Sequence, residues 1–90
     1  MLVIELTYLK PLSEVNLFVD EHRAFINKYT QQGIFITSGP KVPRDGGVIL
    51  SHADCDVIDE IIKEDPFCRE QIAEFRFIQF ESPLGKKLCQ

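Results

Sequence analysis

Cysteine is scarce and irregularly placed in this chain: Cys55, Cys68 and Cys89 are odd in number, lie 13 and 21 residues apart and form no CxxC pair. Such spacing fits reduced thiols rather than a disulfide framework or a zinc site, and Cys68 reads as small hydrophobic filler or, at most, part of a pocket wall. Basic clusters are missing as well. Apart from Lys86-Lys87 the basic residues are scattered, and 10 of them face 14 acidic residues for a net charge of −4, so the electrostatic footprint of a nucleic-acid binder is absent and no nucleic-acid partner is expected. No apolar run approaches the ~20 residues needed to span a bilayer. The opening MLVIELTYLK also lacks the positive n-region and small-residue cleavage site of a secretion signal. The expectation is a cytoplasmic protein with no membrane partner. GxGxxG, the Walker lysine loop, HExxH and GxSxG do not occur, and neither does a flavin or haem signature, so neither a cofactor nor a metal is expected. Any chemistry must come from a small constellation of side chains.

What is present is ordinary for a globular protein: 44% hydrophobic and 27% charged residues, with five glycines and five prolines. There is no low-complexity segment and no convincing internal repeat, so residues 1–90 read as a single domain. Near this size only roughly 60% of the unfolded chain's surface is buried on folding. A lone monomer is therefore marginal, and self-association is expected.

The segment from Pro11 to Gly33 organises the rest. Val15, Phe18, Val19, Phe25, Ile26 and Tyr29 recur at helical steps, which predicts one amphipathic helix with Ser13 as N-cap and Gly33 at its left-handed C-terminal stop. His22 falls on the same apolar stripe, between Val19 and Ile26, while Asp20, Glu21, Arg23 and Asn27 lie to either side. An imidazole sent inward needs a hydrogen-bond partner from elsewhere in the chain. It is either a satisfied core histidine or a functional one.

Leu2 to Leu9 alternates as a strand, with Leu2, Ile4, Leu6 and Tyr8 on one side, and Pro11 ends it. Ile34 to Ser38 is a second strand, stopped by Gly39-Pro40. The turn-forming Lys41 to Gly47 then leads into a third, Val48 to Ser51, as a hairpin. Asp54 caps a second helix whose stripe is Val57, Ile58, Ile61 and Ile62. Asp65 caps a short restart at Pro66. Ala73 to Glu81 is the last strand, and the phase change between Phe77 and Ile78 implies either a bulge or burial on both faces. The order β-α-β-β-α-β predicts an α+β, ferredoxin-like four-stranded antiparallel sheet with both main helices on one face. The other face carries apolar residues too, and a sheet-to-sheet homodimer is the expected way to cover it. The polar stretch from Ser82 to Gln90 either covers an edge or is free.

The polar candidates at strand ends and helix starts are His22, Ser38, Asp45, His52 and Asp65, with Tyr8 as a phenolic donor. A histidine oriented by a carboxylate is the minimal general-base unit, and Asp65 is the best-placed acid for His22. Plain capping in front of Pro66 is the other account of Asp65. His52 fits an exposed loop position. The glycines of Ser38-Gly39-Pro40 and Asp45-Gly46-Gly47 are turn residues that would also let a ligand approach the backbone.

Glu21-His22-Arg23 followed by Phe25, then Gly33, Ser38-Gly39-Pro40, Asp45-Gly46-Gly47 and Asp65-Pro66-Phe67 together resemble the YciI-like (YCII-related) proteins, over nearly the whole chain. The chain departs from many relatives in having Asp20-Glu21 before the histidine and Ser in the Ser-Gly-Pro turn. The resemblance implies a ferredoxin-like, dimeric α/β-barrel fold and a His-Asp acid–base pair, here His22 and Asp65, with Ser38 as a pocket hydroxyl. It further implies a cofactor-independent lyase or hydrolase acting on a small molecule, with dehydrochlorinase-type elimination on a hydroxylated aromatic compound as one branch's chemistry. A non-catalytic dimeric module that binds a small ligand is the alternative, and a purely structural dimer is a third.

Overall fold

The computed structural model describes residues 1–81. The stretch from Ser82, with Cys89, lies outside the described residues. In chain order the elements are β1 (Leu2–Tyr8), α1 (Leu12–Val15), a 3₁₀ turn (Asn16–Phe18), α2 (Val19–Gln31), β2 (Phe35–Pro40) and β3 (Gly46–Ser51). They continue with α3 (Cys55–Ile61), a second 3₁₀ turn (Ile62–Glu64), α4 (Pro66–Arg69) and β4 (Ala73–Gln79). The strands form one antiparallel sheet in the order β2-β3-β1-β4. This is the α+β, ferredoxin-like arrangement that the order of elements predicts.

The core lies between one sheet face and the helices. Leu2, Ile4 and Leu6 of β1, Ile49 of β3 and Phe35 of β2 are buried against Val15, Phe25, Tyr29, Ile58 and Ile61. Phe25, Tyr29 and Phe35 pack as an aromatic trio with ring centroids 5.3–5.7 Å apart. Each fully buried ring of this kind contributes about 1.5–3 kcal/mol through the area it removes from water.

Three local expectations are corrected. The segment before Gly33 is not one helix capped by Ser13. Pro11 occupies the N-cap position of α1, without a side-chain cap, and its carbonyl accepts from Glu14 N and Val15 N. A 3₁₀ turn then separates α1 from α2. Proline's fixed φ sets the N-cap two residues before Ser13, so that α1 begins at Leu12, and three residues per turn in place of 3.6 rephases the stripe across Asn16–Phe18. Gly33, with φ 79°, does close α2 in the left-handed region, and Ile34 N bonds back to Tyr29 O as in a Schellman stop.

The second concerns strand two: β2 runs Phe35–Pro40, with Gly39 and Pro40 paired to Val48 and Gly47 inside the strand rather than stopping it. The third concerns the bulge. The β1–β4 register runs unbroken from Leu2↔Gln79 to Tyr8↔Ala73, so the phase change in β4 reflects apolar residues on both faces: Phe75 and Phe77 pack against the core, whereas Ile78 is exposed on the other side. The bulge lies in β2, where Phe35 pairs with Ser51 and Thr37 with Leu50, leaving Ile36 as the extra residue. One inserted residue exchanges the faces of everything after it. Ser38 consequently shares the row of Ile49 and Ile4, on the core side of the sheet.

Candidate active site

Asp65 is held by its neighbours in sequence before any distant group reaches it. Standing before a proline, it takes an extended conformation, φ −74° and ψ 126°, which ends the preceding 3₁₀ turn. Its Oδ1 accepts from Phe67 N at 3.0 Å, capping α4. The same oxygen accepts from His22 Nδ1 at 2.8 Å. Capping and partnering His22, alternatives on sequence grounds, thus coexist on one atom. The carboxylate is fully buried and the imidazole is 18% exposed. Asp65 Oδ2 is buried without a hydrogen-bond partner among the described residues.

The imidazole is fixed in its plane as well as along its hydrogen bond. It stacks on Phe67 at 4.1 Å between centroids and 6° between planes, and Tyr8 meets Phe67 edge-on at 6.0 Å. A carboxylate accepting at Nδ1 selects the tautomer that carries its proton there. Nε2 is then the lone-pair nitrogen of a side chain that lines a cavity of ≈ 470 Å³. This cavity opens between α2 and the β2, β3 and β1 strands. Tyr8, Ser38, Gly39 and Phe67 line it together with His22. His22, Ser38, Gly39 and Tyr8 are therefore gathered at one place, with Asp65 behind the imidazole.

Other candidates fall elsewhere. Asp45 is exposed and paired with Lys41 at 3.6 Å, and His52 is an exposed loop residue whose backbone N bonds Ile34 O. Neither lines the cavity. Cys55 and Cys68 are free thiols, and burial together with the nearby Asp65 charge pushes the Cys68 thiol up. Among the described residues no three His, Cys, Asp or Glu side chains converge as a metal-ligand set. No helix among them is long and apolar enough to cross a membrane. Arg23, Arg44 and Asn16, which also line the cavity, were not singled out by sequence reasoning. On sequence grounds Arg23 sits beside the helical stripe and Arg44 in a turn; the fold puts both on the cavity wall, with Arg44 tied to Asn16 in the 3₁₀ turn before α2.

The His22–Asp65 contact is flanked by two further ties between α2 and the 62–69 segment. Glu21 receives a bidentate pair from Arg69 at 2.9 and 3.1 Å, and Glu64 accepts from Lys28 at 2.7 Å and from the Tyr29 hydroxyl. Hydrogen bonding from Arg69 holds the Glu21 carboxyl below its ordinary value of 4.5, and Lys28 followed by Tyr29 does the same to Glu64. A carboxyl whose pKa is lower in the folded than in the unfolded chain contributes stability above the unfolded value and loses it as pH falls through the folded one. Thermal stability is accordingly expected to hold from neutrality to about pH 5 and then to decline through and below 4.5. A series of melts against pH checks this. Glu21→Gln should flatten the acid limb; an unchanged slope would mean the exposed pair is too well screened to count.

The sequence profile of the YCII-related domain matches residues 1–81, and the chain belongs to that family. No curated protein and no solved structure matches it.

Proposed function

We propose that this protein is a cofactor-independent enzyme in which His22 moves a proton to and from a small molecule and Asp65 holds the imidazole in place. The observation that carries the proposal is the 2.8 Å contact between His22 Nδ1 and the buried Asp65 carboxylate, on a ring that borders a cavity. A histidine in this setting has one nitrogen committed to orientation and the other available to a substrate. Asp65 stabilises the imidazolium that forms when Nε2 takes a proton, and Ser38 and Tyr8 are the hydroxyls available to position oxygens of the substrate. An elimination of the dehydrochlorinase type fits this equipment. A proton leaves the substrate for Nε2, its electron pair forms the new π bond, and chloride departs with the bonding electrons, for a net loss of HCl. The test is a thermal-shift screen of small hydroxylated aromatics and their chlorinated forms, followed by halide-release assays on the stabilising ones. Binding without any turnover would leave a non-catalytic ligand-binding module.

The working unit we propose is a homodimer joined through the helix-free sheet face, closing a two-sheet barrel. Thr37, Leu50, Val3 and Ile78 form one in-register row across all four strands on that face, with Val48 beside it. Val48 and Ile78 are 36% and 43% exposed in the single chain. A contiguous apolar row is what a second copy can bury. Light scattering on a sizing column is expected to give twice 10.3 kDa. Val3→Asp is expected to yield monomer or precipitate, because the partner would bury an unpaired charge. Phe35 is unsuitable for this test, since it is buried on the helix side. A soluble wild-type monomer at micromolar concentration would sink the barrel.

A further inference from the structure

We infer that the cavity beside His22 accepts a small organic carboxylate with an apolar, ring-sized body, and that Arg44 and Arg23 receive its charge. The inference rests on the proposal that this cavity is the substrate site and adds the chemical class of the substrate. None of the 14 acidic residues lines the cavity, whereas two of the chain's four arginines do. In a protein of net charge −4 that is the reverse of what the average surface would supply.

The two guanidiniums are also left electrically uncompensated. Lys28, Lys41, Lys63 and Arg69 each face a carboxylate. Arg23 and Arg44 have no carboxylate partner among the described residues, a condition they share with Lys10 and Arg76, which lie outside the cavity. Arg44 is oriented by neutral groups instead: its Nη2 donates to Asn16 Oδ1 at 3.0 Å, and its guanidinium lies 5.9 Å from the centre of the Tyr8 ring. Those contacts fix the plane of the fork, use one of its five donors and leave its charge intact. A planar, oriented guanidinium is the group best matched to a carboxylate, which it can bind through two parallel hydrogen bonds. The rest of the wall, including Leu6, Val19, Ile26, Ile49 and Phe67, is apolar or aromatic and offers an organic body its contact surface. A volume of ≈ 470 Å³ is ample for one substituted ring. The charge would then be anchored on the Arg44 side while the body of the molecule extends toward the His22 ring.

Isothermal titration with benzoate, its neutral isostere benzamide, and inorganic phosphate tests this on the intact protein. Wild type is expected to bind benzoate at least about tenfold more tightly than benzamide, the difference a charge-assisted hydrogen bond produces. Inorganic phosphate, which lacks the apolar body, should not displace benzoate at equal concentration. Arg44→Gln should bring the two aromatic ligands together in affinity, with Arg23→Gln having the smaller effect, and circular dichroism melts verify that both variants fold. Equal affinity of benzoate and benzamide for wild type, no binding of benzoate at millimolar concentration, a preference that survives Arg44→Gln, or phosphate competing as well as benzoate would each overturn the inference. His22→Gln separates it from the acid–base proposal. Loss of turnover with the benzoate preference retained supports both, whereas retained turnover with the preference intact removes only the role of His22.

Discussion

His22→Gln is expected to lower turnover by about 10²–10⁴-fold, the contribution a positioned general acid–base group makes, while leaving the fold in place. The glutamine amide can still donate to Asp65 Oδ1, which remains tied to Phe67 N in any case. It cannot accept and return a proton at neutral pH. Asp65→Asn is expected to lower turnover too, since a neutral amide does not stabilise an imidazolium. Its effect on stability follows from the unpartnered oxygen. The amide oxygen can take the place of Oδ1 and keep both hydrogen bonds, but its NH₂ then occupies the position of Oδ2, which is buried without a hydrogen-bond partner among the described residues. An unsatisfied buried donor costs about 1–3 kcal/mol, so the variant should melt lower despite asparagine's quality as an N-cap. Steady-state kinetics beside calorimetric melts check both. Full activity in either variant would remove proton transfer through the pair.

The largest effect on stability is expected from Gly46→Ala. A Cβ on Gly46 would lie 1.7 Å from the carbonyl oxygen of Leu6, a backbone atom of the paired strand. β1 and β3 are in register at Leu6↔Gly47 and Thr7↔Gly46, so relief requires the two strands to part at the floor of the cavity. The cost should meet or exceed the upper end of the ~1–3 kcal/mol typical of overpacking. In a domain of this size that lowers the melting temperature by about 12 °C or more. Gly39→Ala provides the contrast: nothing lies within 4 Å of its added Cβ, and the change should stay within about 0.5 kcal/mol. A Gly46→Ala protein that melts like wild type would refute the close approach of β3 to β1.

Much of the scaffold was legible in the residues because it depends on short-range rules. The period-2 pattern of Leu2, Ile4, Leu6 and Tyr8 could only be a strand with one face inward, and all four point to the helix side. Gly33 could stop α2 because a residue without a Cβ takes a positive φ freely. Asp65-Pro66 announced its own cap, since proline both ends one helix and suits the first turn of the next. His22 stood out because a polar ring on an apolar stripe must find a partner.

What the chain by itself determined, then, was the order of elements, the inward course of His22 and the extended, capping posture of Asp65. Each follows from the propensities of residues within a turn or two of one another. Only the tertiary structure decided that the two side chains meet at 2.8 Å, that Phe67 stacks on the imidazole, and that Arg44 joins Asn16 and Tyr8 at the cavity wall. Those contacts join residues some 28 to 45 positions apart. The same holds for the bulge at Ile36, which turns Ser38 toward the site. The physical reason is that a bulge is set by which residue of the neighbouring strand each residue opposes. That choice balances the burial of Phe35 against the register of Ile49, and it exists only once the strands are paired.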